Sequence, residues 1–377
     1  MHLSLVSSLD SHCRQEASFR LGRTHTDSLV VHHDLLEGSV VLRRIFRAGE
    51  LLERAETPLE HGCLSCTVRL DLVPTVERLM DSDCSHAVLG LPPGVSTGLV
   101  VDELNAALGT SVRVDNAVLA VDPAEVENQI WDRHTLFESG FTSARGDDRT
   151  SGEFLISELA HVDTVMVQAG LGARLTGRVD GQGPGWQSGL QLMNQLAPHA
   201  ALVDSDDVFV PRCYDRREAV SRSRVGSVRV PVQERTGDFC TVLHTVERPL
   251  HPTRFRQALP RLAAGSHWLR GRLWIASAPA QRIGVMGIGP RVWLENTGRW
   301  AADQADGALA ARTDADAVLG WHPRFGDRST VLAVTGREAD VDGAKIRALL
   351  DACQLTDEEM AQDFQSLEDP WELENSL

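Results

Sequence analysis

Lysine is almost absent from this chain of 377 residues, in which Lys345 is the single lysine among 37 basic residues. Long apolar runs are also absent, and no stretch approaches the ~18 uninterrupted apolar residues of a membrane-spanning helix. The first residues, MHLSLVSSLDSH, lack the cationic segment and the apolar core of a signal peptide. We therefore expect a cytoplasmic protein that does not contact a membrane.

Cysteine and positive charge are scarce as well. Seven cysteines are few and odd in number for this length, which argues against a secreted disulfide scaffold. The 53 acidic residues outnumber the 37 basic ones and give a formal charge of −16. Direct binding to nucleic acid is not expected, because it requires clustered cations that displace counterions. Hydrophobic residues make up 42% of the chain, which suffices for packed cores in two or three domains.

The first part of the chain alternates short apolar runs with helical patterns. Strands are predicted over residues 3–6, 28–32, 86–91, 117–121 and 164–167. Helices are predicted over residues 72–80 and 97–108, where apolar residues recur on one helical face. This order predicts an α/β domain with a mainly parallel sheet.

A polar segment over residues 229–238 marks a predicted domain boundary. Beyond it, strands and helices follow in the mixed order of an α+β domain. We predict a first domain at residues 1–232, a second, smaller domain at 239–360 and an acidic tail at 361–377.

The most specific local motif is EHGCLSCTVRLDL, residues 60–72, which contains Cys63 and Cys66 in a C-x₂-C spacing. That spacing lets two thiolates bind one tetrahedral metal ion, and Gly62 gives the backbone freedom for a tight approach. A helix that follows directly predicts a lowered thiol pKa. Two buried structural cysteines, or a redox-active dithiol, remain open as alternatives.

Two thiolates do not complete a zinc site. His61 is the nearest further candidate ligand in the sequence. The other candidates are His32, His33, Cys13 and Cys84. The group His32, His33 and Asp34 is also interpretable as the polar start of a loop, which we favour.

The cysteine motif resembles the GCxCC element of the CobW-like P-loop GTPases, with Ser65 in place of the middle cysteine. Four later segments resemble the CobW C-terminal domain in the family's order: RPLHPTRFRQAL (248–259), LRGRLWIA (269–276), GDRSTVLAVTG (326–336) and LDACQLTDEEM (350–360). The resemblance implies a GTPase-like α/β domain followed by a smaller α+β domain. It also implies zinc as the metal bound by Cys63, Cys66 and His61.

The elements that bind nucleotide in that family are missing. The turn after the first strand, SSLDSHCRQEASF (7–19), has neither the glycines nor the lysine of a P-loop. The segments GLPPGVS (90–96) and QAGLGARL (168–175) stand where the γ-phosphate and guanine motifs belong. We therefore assign no catalytic or cofactor-binding residue. GTP and Mg²⁺ are not expected as cofactors, and hydrolysis is expected to be weak or absent.

Two functions follow from the resemblance. The first is that of an actinobacterial, zinc-responsive branch of the family that recruits a hibernation factor to the small ribosomal subunit through protein docking. The alternative is a zinc metallochaperone, or a residual GTPase, that supplies a zinc-dependent client. The negative charge favours basic protein surfaces over RNA as partners. Docking residues are expected in the tail and among five tryptophans of the second domain: Trp268, Trp274, Trp293, Trp300 and Trp321.

Overall fold

The structure is a computed structural model that describes residues 1–25, 27–172, 184–204, 207, 214–304, 321–362, 364 and 367–372. The chain divides into two compact units, Met1–Ser223 and Arg224–Leu377. The predicted acidic tail at residues 361–377 lies partly outside the described residues. None of the helices in the described ranges has both the length and the hydrophobicity to cross a lipid bilayer.

The first unit is built on an eight-stranded sheet. Its strands are His2–Ser7 (β1), Leu29–Leu36 (β2), Val40–Arg47 (β3), Glu50–Pro58 (β4), His86–Gly90 (β5), Arg113–Val121 (β6), Thr164–Val167 (β7) and Ala201–Asp204 (β8). They lie in the order β4-β3-β2-β5-β1-β6-β7-β8. The six strands from β2 to β8 in this order run parallel. The predicted mainly parallel α/β sheet is confirmed.

Most helices of this unit lie between successive strands of the sheet, as the connections of parallel strands require, and the last helix follows β8. They are Ser11–Gly22 (α1), Leu64–Thr67 (α2), Val73–Met80 (α3), Thr97–Leu108 (α4), Pro123–Trp131 (α5), Ser151–His161 (α6), Pro184–Leu196 (α7) and Arg216–Ser223 (α8). The strand β5 is buried along its whole length, which explains its uninterrupted apolar character.

An antiparallel hairpin, β3–β4, extends the sheet beyond β2 and was not predicted. The strand β4 lies at the sheet edge and reads ELLERAETP, with no buried residue. Its charged residues give no apolar alternation, so the sequence carries only a weak strand signal. The hairpin matters because it packs behind the helical segment that begins at the cysteine pair.

The second unit contains a six-stranded antiparallel sheet in the order β13-β12-β11-β14-β10-β9. Its strands are Arg235–Thr236 (β9), Phe239–Val246 (β10), His267–Leu273 (β11), Gln281–Ile288 (β12), Arg291–Arg299 (β13) and Thr330–Arg337 (β14). Its helices are Pro252–Leu262 (α9), Gly343–Asp351 (α10) and Asp357–Met360 (α11). Apolar residues of α9, α10 and the sheet share one core, which includes Phe255, Leu269, Leu332 and Leu350. The α+β class of this part is confirmed.

Candidate metal-binding site

The cysteine pair begins a long helical segment. Cys63 is the N-cap of α2, and its Sγ accepts a hydrogen bond from the backbone N–H of Cys66 at 3.2 Å. Cys63 is exposed to solvent and Cys66 is half-buried. The side chain of Cys63 is also close enough to shift the pKa of the Cys66 thiol. The structure thus holds the two sulfurs together at the first turn of the helix.

The expected lowering of the thiol pKa was wrong for Cys66. Its hydrogen bond with Cys63 raises the pKa of Cys66, and burial and the charge of Cys63 act in the same direction. The nearby Arg69 guanidinium opposes this rise without cancelling it. One thiolate disfavours a second one beside it. A cation bound between the sulfurs would remove that repulsion, which suits a metal site.

A cavity of about 860 Å³ lies beside Cys63. Its lining includes Glu60, His61 and Cys63 from the loop before α2, together with Arg145. Within the described parts of the chain, no three His, Cys, Asp or Glu side chains are grouped so that they could hold a metal ion. The predicted set of Cys63, Cys66 and His61 is therefore not pre-arranged. The two thiols form an open site at the edge of this cavity.

Gly62 allows this loop to lie close to the turn between β2 and β3. A Cβ atom on Gly62 would lie 2.6 Å from the Oγ of Ser39. The loop is held there by a hydrogen bond from the backbone N–H of Leu59 to the carbonyl of Ser39, at 2.8 Å. We therefore attribute the glycine before Cys63 to a close backbone approach.

The four other candidate ligands lie elsewhere. Cys13 is buried in α1, and Cys84 is buried with its thiol donating to the carbonyl of His86 at 2.8 Å. His32 and His33 are buried within β2. Their interpretation as the start of a polar loop was wrong, because β2 continues to Leu36 and pairs with β3 along that length.

His32 is a buried histidine without a hydrogen-bond partner on either ring nitrogen among the described residues. Its ring lies 5.5 Å from Phe19 and 5.6 Å from Phe46, between centroids. Burial, followed by the charges of Arg14 and Arg44, lowers its pKa from 6.5 to about 3. The native state therefore binds fewer protons than the unfolded chain between these two values.

We expect the free energy of unfolding to fall as the pH drops below 6.5, with His32 alone contributing a loss of about 2 kcal/mol at pH 5. The reason is that the unfolded chain takes up a proton that the buried ring cannot. His32→Leu should remove this part of the pH dependence and leave the part that other histidines cause. Urea unfolding of both proteins at pH 7.5 and pH 5 measures the difference. Equal losses in the two proteins would contradict the assignment.

In the turn after β1, N–H groups at the start of α1 already have a hydrogen-bond partner within the chain. Asp10 is the N-cap of α1, and its carboxylate accepts the backbone N–H groups of His12 at 2.7 Å and Cys13 at 3.0 Å. Its second oxygen accepts the N–H of Leu171 at 3.3 Å. The N–H groups of His12 and Cys13 lie at the helix start that follows the first strand, where a P-loop offers its N–H groups to phosphate. A carboxylate of the chain itself occupies them here.

The cation of this turn also has other partners. Arg14 is 1% exposed and donates to the carbonyls of His33 at 3.0 Å and Leu91 at 2.9 Å. It also pairs with Asp34 at 2.6 Å. Because its guanidinium is committed to these buried groups, Arg14 does not replace the missing P-loop lysine.

A second carboxylate lies at the start of α4, after the GLPPGVS segment. Glu158 is 1% exposed and accepts the backbone N–H and the hydroxyl of Thr97, at 3.0 and 2.6 Å. Burial raises the pKa of Glu158, and its hydrogen bonds oppose that rise. Carboxylates of the chain itself therefore accept N–H groups at the starts of both α1 and α4.

A buried charge network behind α2 was missed by the sequence analysis. Asp71 is 2% exposed and accepts from Arg43 Nη1 at 2.9 Å and from Thr57 Oγ1 at 2.5 Å. One of its oxygens lies 3.1 Å from His33 Nε2. Burial alone would raise the pKa of Asp71, but these contacts outweigh it and hold the pKa below its usual value. The one sequence signal is an aspartate inside the apolar run LDLV.

The chain is similar to known proteins in both of its parts. The crystal structure of Zn(II)-bound YjiA GTPase from E. coli covers 94% of this chain and 99% of its own, at 10% identity and a TM-score of 0.38. A Mycobacterium tuberculosis protein named zinc chaperone Rv0106 is 27% identical over 367 residues, which covers 92% of this chain and 87% of that protein. An uncharacterized Mycobacterium bovis protein, Mb0109, matches with the same identity and coverage.

Residues 239–354 match the family of the cobalamin synthesis protein cobW C-terminal domain. This range begins with β10 and ends after α10, so that it covers most of the second sheet and both helices packed on it. The first unit supplies the mainly parallel sheet that precedes this domain. The second unit of this chain therefore contains a CobW C-terminal domain.

Proposed function

We propose that this protein is a zinc carrier that binds Zn²⁺ through the thiolates of Cys63 and Cys66 and transfers it to a client. The observation that carries the proposal is the thiol pair at the start of α2, in which the exposed Cys63 lines the cavity and its Sγ accepts the backbone N–H of Cys66 at 3.2 Å. Zinc is the cargo in this proposal. The similarity to a protein named zinc chaperone supports it.

An open site suits a carrier better than a closed one. Structural zinc sites use four protein ligands and hold their ion tightly, whereas open positions permit ligand exchange. Two thiolates leave positions for water, for His61 or Glu60 at the cavity, or for the ligands of a receiving protein. In our proposal the client completes the coordination and withdraws the ion.

We propose further that this transfer proceeds without GTP. Asp10 and Glu158 occupy the helix starts that would otherwise bind phosphates. In this proposal, no step of zinc transfer requires a nucleotide. The activity of the protein then depends on zinc occupancy and on docking.

The second candidate function is the recruitment of a hibernation factor to the small ribosomal subunit under zinc limitation. The specific observation that favours docking is in the second unit, where Trp321 is 43% exposed. Trp268, Trp274 and Trp300 belong instead to the buried residues. Close to the C-terminus, Trp371 lies against Phe255 of α9, with ring centroids 6.0 Å apart. A formal charge of −16 favours a basic protein as the partner.

Affinity capture of the full chain from zinc-replete and zinc-starved cells tests the two functions. The C63A/C66A variant at matched protein level is the control. A zinc enzyme that co-purifies with wild-type protein and not with the variant is expected for the carrier. Small ribosomal subunits or a hibernation factor, captured only at one zinc level, would support recruitment instead. Capture that ignores both zinc and the cysteines would contradict both functions.

A further inference from the structure

We propose that Asp71 is a positioning residue that fixes the place and rotation of the helix start that carries Cys63 and Cys66 beside the cavity. The inference rests on the proposed function for its zinc readout. It concerns the helical segment from Leu64 to Met80, which contains α2 and α3. Asp71 lies in the turn between them.

The segment is continuous but not uniformly α-helical. The five residues Val68–Leu72 form a π-helical turn between α2 and α3. Pro74 stands at the start of α3. In an unbroken α-helix its ring would clash with the carbonyl of Leu70, four residues earlier, and the wider turn avoids this clash. The sequence therefore favours an irregular turn at this place.

Asp71 anchors this turn to the sheet. Its carboxylate contacts His33 of β2, Arg43 of β3 and Thr57 of β4, so that one buried acid joins the helix to three adjacent strands. A second carboxylate reinforces the connection from the other side. Glu53 of β4 pairs with Arg43 at 3.0 Å and with Arg78 of α3 at 2.8 Å.

The anchor matters for the cysteines because a π turn contains one residue more than an α turn. If the turn relaxed to α-helix, the residues before it would rotate by about 100° and shift by about 1.5 Å relative to α3. Cys63 and Cys66 lie before the turn, and Cys63 lines the cavity. Asp71 holds the turn in register with the strands and thereby keeps Cys63 at the cavity, with Cys66 in the first helical turn beside it.

Asp71→Asn tests the proposal, because it keeps the size of the side chain and removes the charge. The matched control is Asp122→Asn, a carboxylate of similar burial that accepts from Ala124 at 3.0 Å and Gly170 at 2.9 Å, away from the cysteine segment. We expect D71N to weaken zinc affinity about 10–100-fold in chelator competition, as loss of a group that orients metal ligands does. D122N should leave the affinity unchanged. Cobalt(II) substitution should show weaker thiolate-to-metal absorption in D71N only.

A second measurement tests the role of Asp71 in the metal-free protein. The rate at which Cys63 and Cys66 react with a disulfide reagent reports their accessibility in the metal-free protein. We expect D71N to change this rate several-fold and D122N to leave it unaltered. If wild-type protein binds no zinc while D71N still changes the thiol rates, the proposed function fails and the positioning role stands.

Wild-type zinc affinity together with wild-type thiol rates in D71N would overturn the role of Asp71. If D71N does not fold, Thr57→Val provides the test, since it removes one hydrogen bond and leaves the carboxylate paired with Arg43. T57V should lower zinc affinity in the same direction by a smaller factor. An unchanged affinity and unchanged thiol rates in T57V would then overturn the proposal.

Discussion

Replacing both Cys63 and Cys66 with alanine is expected to abolish zinc binding by the purified protein. Thiolates provide the strong zinc bonds of such a site, and within the described residues no group of three candidate ligands exists that could substitute for them. Each single substitution should leave one thiolate beside His61 and Glu60 and therefore weaken binding without removing it. Metal analysis after dialysis, with chelator competition for the single variants, measures both effects.

The chain offers a matched control for this experiment. Cys84 and Cys353 are buried and lie outside the pair, so C84A/C353A removes the same number of thiols from other places. This variant should retain the zinc content of wild-type protein. Equal zinc in C63A/C66A and wild type would contradict the site. If the pair is a redox dithiol instead, mild oxidant should produce a Cys63–Cys66 link with the loss of two hydrogens, and zinc should not protect it.

Binding of Mg·GTP is expected to be millimolar or weaker, about a thousandfold below a micromolar site. The missing lysine and phosphate-binding loop remove several charge-assisted hydrogen bonds, each worth about 1.5–3 kcal/mol. Every 1.4 kcal/mol lost is about tenfold in affinity. In addition, the carboxylate of Asp10 already accepts the N–H groups at the start of α1, and its charge repels phosphate.

Isothermal titration of the full chain with Mg·GTP and with Mg·ATP measures this affinity. Asp10→Asn keeps a side-chain acceptor at the N-cap while it removes the negative charge, so it should improve binding only slightly. A micromolar dissociation constant for wild-type protein would contradict the expectation. It would mean that arginines bind the phosphates in an arrangement different from the one described.

Short-range patterns in the sequence were sufficient for much of the fold. The apolar run at residues 86–91 predicted β5 because a strand buried on both faces needs no alternation. The helix predicted over residues 97–108 coincides with Thr97–Leu108, where Ser96 caps the first turn. The family resemblance of residues 239–360 agrees with the match at residues 239–354. These predictions depend on neighbours along the chain, which a sequence displays directly.

The sequence by itself determined the cysteine pair, because a C-x₂-C spacing needs only one helical turn to bring two sulfurs together. Tertiary structure decided the rest of the site. In the buried network, His33 and Arg43 are paired across β2 and β3, and Asp71 lies 28 positions after Arg43 in the helical segment. Only the packing of that segment on the paired strands brings the three side chains together. Tertiary structure also decided that His32 and His33 lie inside β2, because β2 pairs along its length with β3 of the unpredicted hairpin. Long-range pairing fixes which charged residues are buried, and no local pattern of residue types carries that information.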